Sequence, residues 1–476
     1  LAMKPMSHDF KARAGKALEN PVLQSALKNL NTGFVEQRRK CAEALPEFEA
    51  LRDLGKEICD HALANLDFYL RRYEEQVTAA GGHVHWASTS EDACRIVTDI
   101  CRQAEAKKVI RGKSMIGEEV GINDALEKAG FEAIETDLGE YILQLAKEPP
   151  SHIVAPAIHK SKDEISDLFH EHHSALGLTE RQTERSALVQ EARQVLREAF
   201  VTADVGITGA NFLIADTGSN IIVTNEGNGD LTCTLPKVHI VTAAIDKVIP
   251  SVDDAMVLLR LLGRSATGQE ITAYTTFSTG PKRPEDLDGP EEYHVILVDN
   301  GRSTMLGNEF RDMLRCIRCG ACMNHCPVYG SVGGHAYGWV YPGPMGSVLT
   351  PMMVGLDEAG NLPNACTLNG RCQDVCPVRI PLPKLLRAHR TRQHEQKLSS
   401  GVFRFGLGVW TFFASHPRIY QFGTRIVMAA MGALGRRKGV FRRMPLAGGW
   451  TQVRDLPAPQ GKTFQAAWQE RLREKG

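Results

Sequence analysis

CIRCGACMNHCP, residues 316–327, is the stretch from which the rest of the 476-residue chain is read. Its thiols stand at Cys316, Cys319, Cys322 and Cys326, and Pro327 follows the last. Three thiolates two residues apart can wrap one cube of iron and sulfide. The fourth, set back by three residues and followed by proline, turns toward a second cluster. Zinc also takes four thiolates, but its Cys-x2-Cys pairs normally stand far apart in sequence. The spacing therefore predicts iron–sulfur ligation. A second copy follows in CTLNGRCQDVCP, residues 366–377, with Cys366, Asn369, Cys372 and Cys376 in the four places. These two motifs are the only sign of an internal repeat.

In two-cluster ferredoxins each cluster takes three ligands from one motif and one from the other. By that logic Cys316, Cys319, Cys322 and Cys376 complete a first 4Fe–4S cluster. Cys326, Cys366 and Cys372 are left for the second, one thiolate short. Three readings remain for that iron. The cluster is a 3Fe–4S type; or it is 4Fe–4S with a non-cysteine ligand such as Asn369, His325, His335 or water; or a cysteine from elsewhere completes it. Cys41, Cys59, Cys94, Cys101 and Cys233 have no ligand spacing and read as core residues.

Composition narrows the class. Lys plus Arg and Asp plus Glu are both 56, so a globally basic nucleic-acid binder is not expected. Seven of 12 cysteines fall between positions 316 and 376, which in a large chain reads as metal ligation rather than disulfides. No apolar run follows Lys4, and Ile426 to Gly435, the longest uncharged apolar stretch, is far short of a span. A cytoplasmic protein is expected. The charge is uneven, however. From Arg379 onward there are 19 Lys/Arg against 4 Asp/Glu, a balance of +15 that the first 378 residues offset. Such a tail is suited to an acidic partner or to the inner face of a membrane.

Four regions emerge along the chain. Residues 1–75 show apolar spacing of three and four and read as helices. Residues 76–300 alternate apparent strands (HVHWAS, KKVIRG, FEAIET, HIVAPAI, the glycine-punctuated ADVGITGANFLIADTGSNIIVTNEGN, KVHIVTAAIDKVI, YHVILVDN) with helical patterns, the mark of an α/β domain with a largely parallel sheet. Residues 301–398 carry the cysteine motifs. Residues 399–476 are basic, helical and then extended. In that tail VFRFGLGVWTFF and IYQFGTRIVMAAMGALGRRKG are apolar with interspersed arginines. Packing against the cluster region or a partner subunit is the expected role, with an interfacial helix as the alternative.

Within the α/β region, the strand KKVIRG runs into GKSMIGEEVG. Ligands in open α/β sheets sit at the carboxyl ends of strands. Lys113 and Ser114 there, with Asn211, Asp216, Thr217, Asn225 and Asn228 on the following glycine-rich loops, are the candidates for an anion or ligand pocket. Glu226 is the candidate general base. The same residue types also cap ordinary turns. His152 is a further pocket candidate, whereas His170, His172 and His173 read as a solvated helix end. No G-x-G-x-x-G follows a strand, and Gly112-Lys113-Ser114 fails as a Walker A motif because position 107 is lysine. The chain thus shows no hydride acceptor of its own.

CIRCGACMNHCPVYG, GGHAYGWVYPGPMGSVLTP and NGRCQDVCPVRIPLPKLL together resemble the LutB-type lactate utilisation iron–sulfur proteins. The resemblance continues upstream through residues 112–160 and 203–229, which look like that family's LUD domain, and downstream through PLAGGWTQVRDLPAPQGKTF. It implies a NagB/RpiA-like α/β LUD domain followed by an α-helical, two-cluster ferredoxin-like domain. It implies two partners, a CCG-domain iron–sulfur protein (LutA-like) and a short LUD protein (LutC-like), and oxidation of L-lactate to pyruvate by the assembly. Many members carry cysteine where this chain has Asn369 and lack Cys366, so the candidate ligand here stands three residues upstream. The expected role is electron-transfer subunit rather than self-contained catalyst. The alternative is a LUD-domain enzyme that itself binds a 2-hydroxy acid beside the open-iron cluster.

Overall fold

The computed structural model describes residues 5–444, 451 and 454–475. Residues 445–450 and 452–453 of the quoted C-terminal stretch lie outside them. The chain divides into two units, Leu1–Arg392 and Gln393–Gly476.

In the first unit the strands are β1 (His83–Ala87), β2 (Lys108–Arg111), β3 (Glu132–Glu135), β4 (Val205–Gly209), β5 (Phe212–Ile214), β6 (Ser219–Thr224), β7 (Val238–Ala244), β8 (Val248–Ile249), β9 (Tyr274–Ser278) and β10 (Glu292–Val298). Six form a sheet in the order β1-β10-β7-β4-β2-β3, every pairing parallel. All seven residues of β7 are buried, as expected of a central strand covered on both faces by helices. A second sheet has the order β8-β5-β6-β9. Its Phe212, Ile214, Ile221 and Ile249 join the same core as the cysteine-rich segment.

The α/β class with a parallel sheet, then a helical cysteine-rich region, is as expected. Two details differ. HIVAPAI forms turns, not a strand. His152 Nδ1 accepts from the Val154 and Ala155 N–H groups, both at 3.0 Å, and those donors are thereby lost to any ladder. Conversely, β9 was not anticipated, because an edge strand with few buried positions lacks an apolar signature.

The N-terminal helices (Phe10–Glu19, Pro21–Leu30, Glu36–Glu43, Phe48–Ala64 and Leu66–Ala79) are not a separate body. Arg38 donates to the Val375 carbonyl at 2.8 Å. Arg52 donates to those of Asp374 and Cys376, at 2.6 and 2.8 Å. Arg13 donates to that of His335 at 2.7 Å. Long cationic side chains thus satisfy carbonyls that the tight turns of the cysteine segment leave without partners.

A buried chain of charge joins the α/β domain to that segment. Arg302, after β10, forks onto Glu119 at 2.6 and 2.8 Å. Tyr341 donates to the same carboxylate at 2.6 Å. Arg302 also lies 3.0 Å from Asp246, which receives Lys247 Nζ at 2.6 Å. Lys247 in turn donates to the Cys316 carbonyl at 2.7 Å. Burial pushes the Glu119 carboxyl up, but the Arg302 guanidinium against it wins and holds it below the usual range. Asp246, buried between Lys247 and Arg302, is held down at about 2.

In the second unit, helices Gly401–Ser415 and Pro417–Gly435 precede a short antiparallel pair, Val440–Phe441 with Leu456–Pro457, and a final helix, Phe464–Lys475. No residue of Gly401–Ser415 is buried; Phe405 is 75% and Trp410 63% exposed. No helix among the described residues is long and apolar enough to cross a membrane.

Removing one partner of a buried ion pair strands the other charge. Arg302→Met should therefore destabilise the first unit by about 3–5 kcal/mol, read from chemical denaturation of the iron-loaded protein, with Glu119→Gln/Arg302→Met recovering part of the loss.

Candidate metal centres and an adjoining cavity

The two cysteine motifs repeat in backbone as well as sequence. Arg318 and Gly320 have φ of +58° and +76°, and Leu368 and Gly370 have +56° and +85°. A one-turn helix follows each pair, Ala321–Asn324 and Arg371–Asp374. Left-handed backbone is cheap only for glycine, so Gly320 and Gly370 are set by the turn, and Arg318 and Leu368 carry strain.

Cys316, Cys319, Cys322 and Cys376 surround one small cavity walled by Ile153 and Met345. The interleaved partition read from the spacing thus has a spatial counterpart. Burial, then the charge of neighbouring cysteines, pushes the Cys319 thiol up to about 12 and raises Cys322 well above its ordinary range. Cys326, Cys366 and Cys372 form the second group: burial raises Cys326 and takes Cys372 to about 12, with Cys366 adding to both. Cys322 also feels Cys372, so the two groups are neighbours. Convergent buried sulfurs in apolar walls are poorly stable as thiolates alone. A soft, cationic iron core is what such donors fit.

Asn369 is exposed, and its Oδ1 accepts from the Arg371 N–H at 3.1 Å. The Cys319 sulfur has the same relation to the Ala321 N–H. The asparagine oxygen therefore stands where the first motif presents sulfur. The two histidines considered as ligands are engaged elsewhere. His325 Nδ1 bonds the Ala321 carbonyl at 2.9 Å. His335 Nε2 bonds that of Pro149 at 2.8 Å, and its ring packs 4.4 Å from His159.

Each group has one half-buried cysteine, Cys322 in the first and Cys366 in the second, and its others are buried; the second differs in lying beside the exposed residues 367–369. Cations crowd the first group: Lys247 and Arg52 sit on the Cys316 and Cys376 carbonyls, and Arg38 and Arg318 are within Coulomb range of Cys319 and Cys316.

A cavity of about 260 Å³ opens at the carboxyl ends of β2, β4 and β7. Of the predicted pocket residues, Lys113, Ser114, Asn211, Asn225, Glu226 and Asn228 line it. Asp216 and Thr217 do not. They sit in the β5–β6 turn, at the end of the hairpin opposite Asn211 and Asn225. There Asp216 pairs with Arg72 at 3.0 Å and Thr217 donates to Ser219 at 2.8 Å. Ser114 is buried and committed, capping the Gly117 N–H at 3.2 Å. Lys113 Nζ donates to the Val154 carbonyl at 2.7 Å, and burial lowers its pKa. Desolvation beside the cavity, and then the charge of Asp137, raises Glu226.

His152 does not line the cavity. With Nδ1 accepting, its Nε2–H donates to Asn324 Oδ1 at 2.7 Å, which latches the 151–156 turn to the first cysteine helix. Desolvation lowers it to about 4. His170 and His172 are exposed as expected, but His173 is buried between Tyr141 and Glu191, at 2.9 and 2.7 Å.

Sequence reasoning missed Arg302, Lys247, Arg318, Tyr341, Ile153 and Ile317, all of which line the cavity. Only Arg318 had a signal, its place between two ligands. Ile153 and Ile317 also wall the first cysteine group, so the two spaces are neighbours. The alternative reading sets a hydroxy acid beside the group of Cys326, Cys366 and Cys372; the cavity shares wall residues with the first group, and no cysteine of either group lines it.

Three known families match successive parts of the chain. Residues 70–298 match the LUD domain, 312–380 the 4Fe-4S dicluster domain, and 389–473 the lactate utilisation protein B C-terminal region. Lactate utilization protein B of Bacillus licheniformis is 44% identical over 100% of this chain and 99% of its own. That of Bacillus subtilis is 44% identical over 98% and 97%. The uncharacterized electron transport protein YkgF of Escherichia coli is 43% identical, again over 98% and 97%.

Proposed function

This chain belongs to the lactate utilization protein B family, and from that premise we propose that it is the iron–sulfur electron-transfer subunit of a multi-protein complex oxidising L-lactate to pyruvate. The observation that carries the reading is the order of spaces in the first unit. The cavity shares Ile153 and Ile317 with the first cysteine group, and the second group reaches the surface at residues 366–369. Iron–sulfur clusters, when bound, supply one-electron transfer. The residues supply a route with one end at a pocket and the other at a partner. Lys247, Arg52, Arg38 and Arg318 offset the negative charge that thiolate-ligated iron and sulfide carry. The names of the Bacillus and E. coli relatives, lactate utilization and electron transport, support the same reading.

Cys316, Cys319, Cys322 and Cys376 hold a 4Fe–4S cluster. Cys326, Cys366 and Cys372 hold the second. There Asn369 offers oxygen, a weaker ligand to iron than thiolate, and the group accommodates 4Fe–4S or 3Fe–4S. The partners are a CCG-domain iron–sulfur protein and a short LUD protein, which bring the missing hydride acceptor and the onward path.

The chain acts in the cytoplasm, at the inner membrane face. Between residues 396 and 454 there are ten Lys/Arg and no Asp/Glu. Helices Gly401–Ser415 and Pro417–Gly435 expose Phe405, Trp410, Phe412 and Phe422 among those arginines. An apolar, basic helix pair of this kind suits an anionic bilayer surface.

Three outcomes are expected. Anaerobically, dithionite should bleach the visible absorption of the isolated, iron-loaded chain and lactate should not; lactate should do so once both partners are added. Bleaching by lactate alone overturns the relay reading. Cys376→Ser and Cys316→Ser should lose the same EPR signal, and Cys326→Ser and Cys366→Ser the other, despite the motif each belongs to. Finally, the protein should sediment with phosphatidylglycerol-rich vesicles and not with phosphatidylcholine ones. Arg436→Glu/Arg437→Glu should weaken that binding by at least tenfold at low salt.

A further inference from the structure

Four cations reach the cavity wall: Lys113, Lys247, Arg302 and Arg318. Three have partners. Lys247 and Arg302 are matched by Asp246 and Glu119, and Lys113 bonds the Val154 carbonyl within range of Asp137 and Glu226. Arg318 feels Asp246 at Coulomb range but has no hydrogen-bond partner among the described residues, and its Nη1 is buried without an acceptor. The guanidinium lies 5.0 Å over the Tyr341 ring. A strained, left-handed backbone at Arg318 accompanies this placement. An unpaired buried N–H group costs about 1–3 kcal/mol, and the planar fork of arginine matches a carboxylate.

We propose that this cavity binds a small 2-hydroxy or 2-oxo monocarboxylate, with its carboxylate on Arg318. The space, about 260 Å³, is just below the roughly 300–1,000 Å³ of sites for drug-sized ligands, so a short acid fits better than a dinucleotide. Ile153 and Ile317 offer apolar contact beside Arg318, and Asn211, Asn225 and Glu226 offer polar groups for the second oxygen. Asp137 and Glu226 in the same wall disfavour a second negative charge. The choice of acid rests on the lactate reading; the cation and its missing partner do not.

The site has a redox signature. Arg318 stands within Coulomb range of Cys316 as well as in the cavity wall. An anion on its guanidinium removes a positive charge beside the first cluster, which disfavours adding an electron there. By linkage, the oxidised protein binds the acid more tightly than the reduced protein.

Oxamate, a redox-inert 2-oxo acid analogue, is the probe, titrated anaerobically into the iron-loaded full chain by calorimetry and during EPR-monitored potentiometry. Saturable binding is expected, unaffected by inorganic phosphate. It should weaken at least tenfold in Arg318→Gln and less in Arg318→Lys. The potential of the Cys376-dependent cluster should fall with oxamate, a tenfold difference in affinity corresponding to about 59 mV. Wild-type binding in iron-replete Arg318→Gln, equal competition by phosphate, or an unmoved potential overturns the proposal. Should Arg318→Gln fail to load iron, the shift in the wild-type protein decides. Partner-dependent reduction by lactate without oxamate binding sinks this inference and leaves the relay; oxamate binding with no such reduction does the reverse.

Discussion

Arg302 and Glu119 are each about 1% exposed, and the ion pair between them anchors the first unit. Two ionised groups leave water only when geometry and hydrogen bonds repay the desolvation. Here Tyr341 and Asn300 complete the Glu119 carboxylate, and Asp246 and Lys247 extend the alternation of charge as far as the Cys316 carbonyl. Its members come from the helix after β2 (Glu119), the segment after β7 (Asp246 and Lys247), the segment after β10 (Asn300 and Arg302) and the cysteine-rich segment (Cys316 and Tyr341). The sheet and the cluster region are therefore held at a fixed separation. Both the cavity and the first cysteine group are built around that junction.

The same junction orders the functional spaces. The 151–156 turn, folded by the two hydrogen bonds into His152 Nδ1, supplies Ile153 to both spaces and Val154 to Lys113. His152 then latches onto Asn324, within the first cysteine helix. A residue weighed as a pocket ligand thus positions the wall between pocket and metal centre. From there the surroundings change gradually, from enclosed thiols ringed by cations to a second group whose Asn369 faces solvent.

The N-terminal helices belong to this arrangement and not to a separate arm. Arginines at positions 13, 38 and 52 bond carbonyls of the cysteine-rich segment more than 300 residues away. The helical spacing predicts each helix, but nothing in it distinguishes an arginine bound for solvent from one bound for a distant carbonyl.

What the sequence determined by itself is what local chemistry enforces. Thiol spacing marked the chain as an iron–sulfur protein, because a cube of iron and sulfide admits few chain geometries. Apolar periodicity set the parallel α/β domain, because a central strand buried on both faces must be apolar throughout. It also placed six pocket residues, since loops after parallel strands converge at one end of a sheet. Tertiary structure decided the rest. It sent Asp216 and Thr217 to the wrong end of a hairpin, buried His173, and unmade the strand at 152–158 by giving its N–H groups a side-chain acceptor. Above all it set the cavity against the first cysteine group, with Arg318 in the wall. That placement depends on the buried charges linking segments some 180 to 220 residues apart, and no local pattern records a contact at that range.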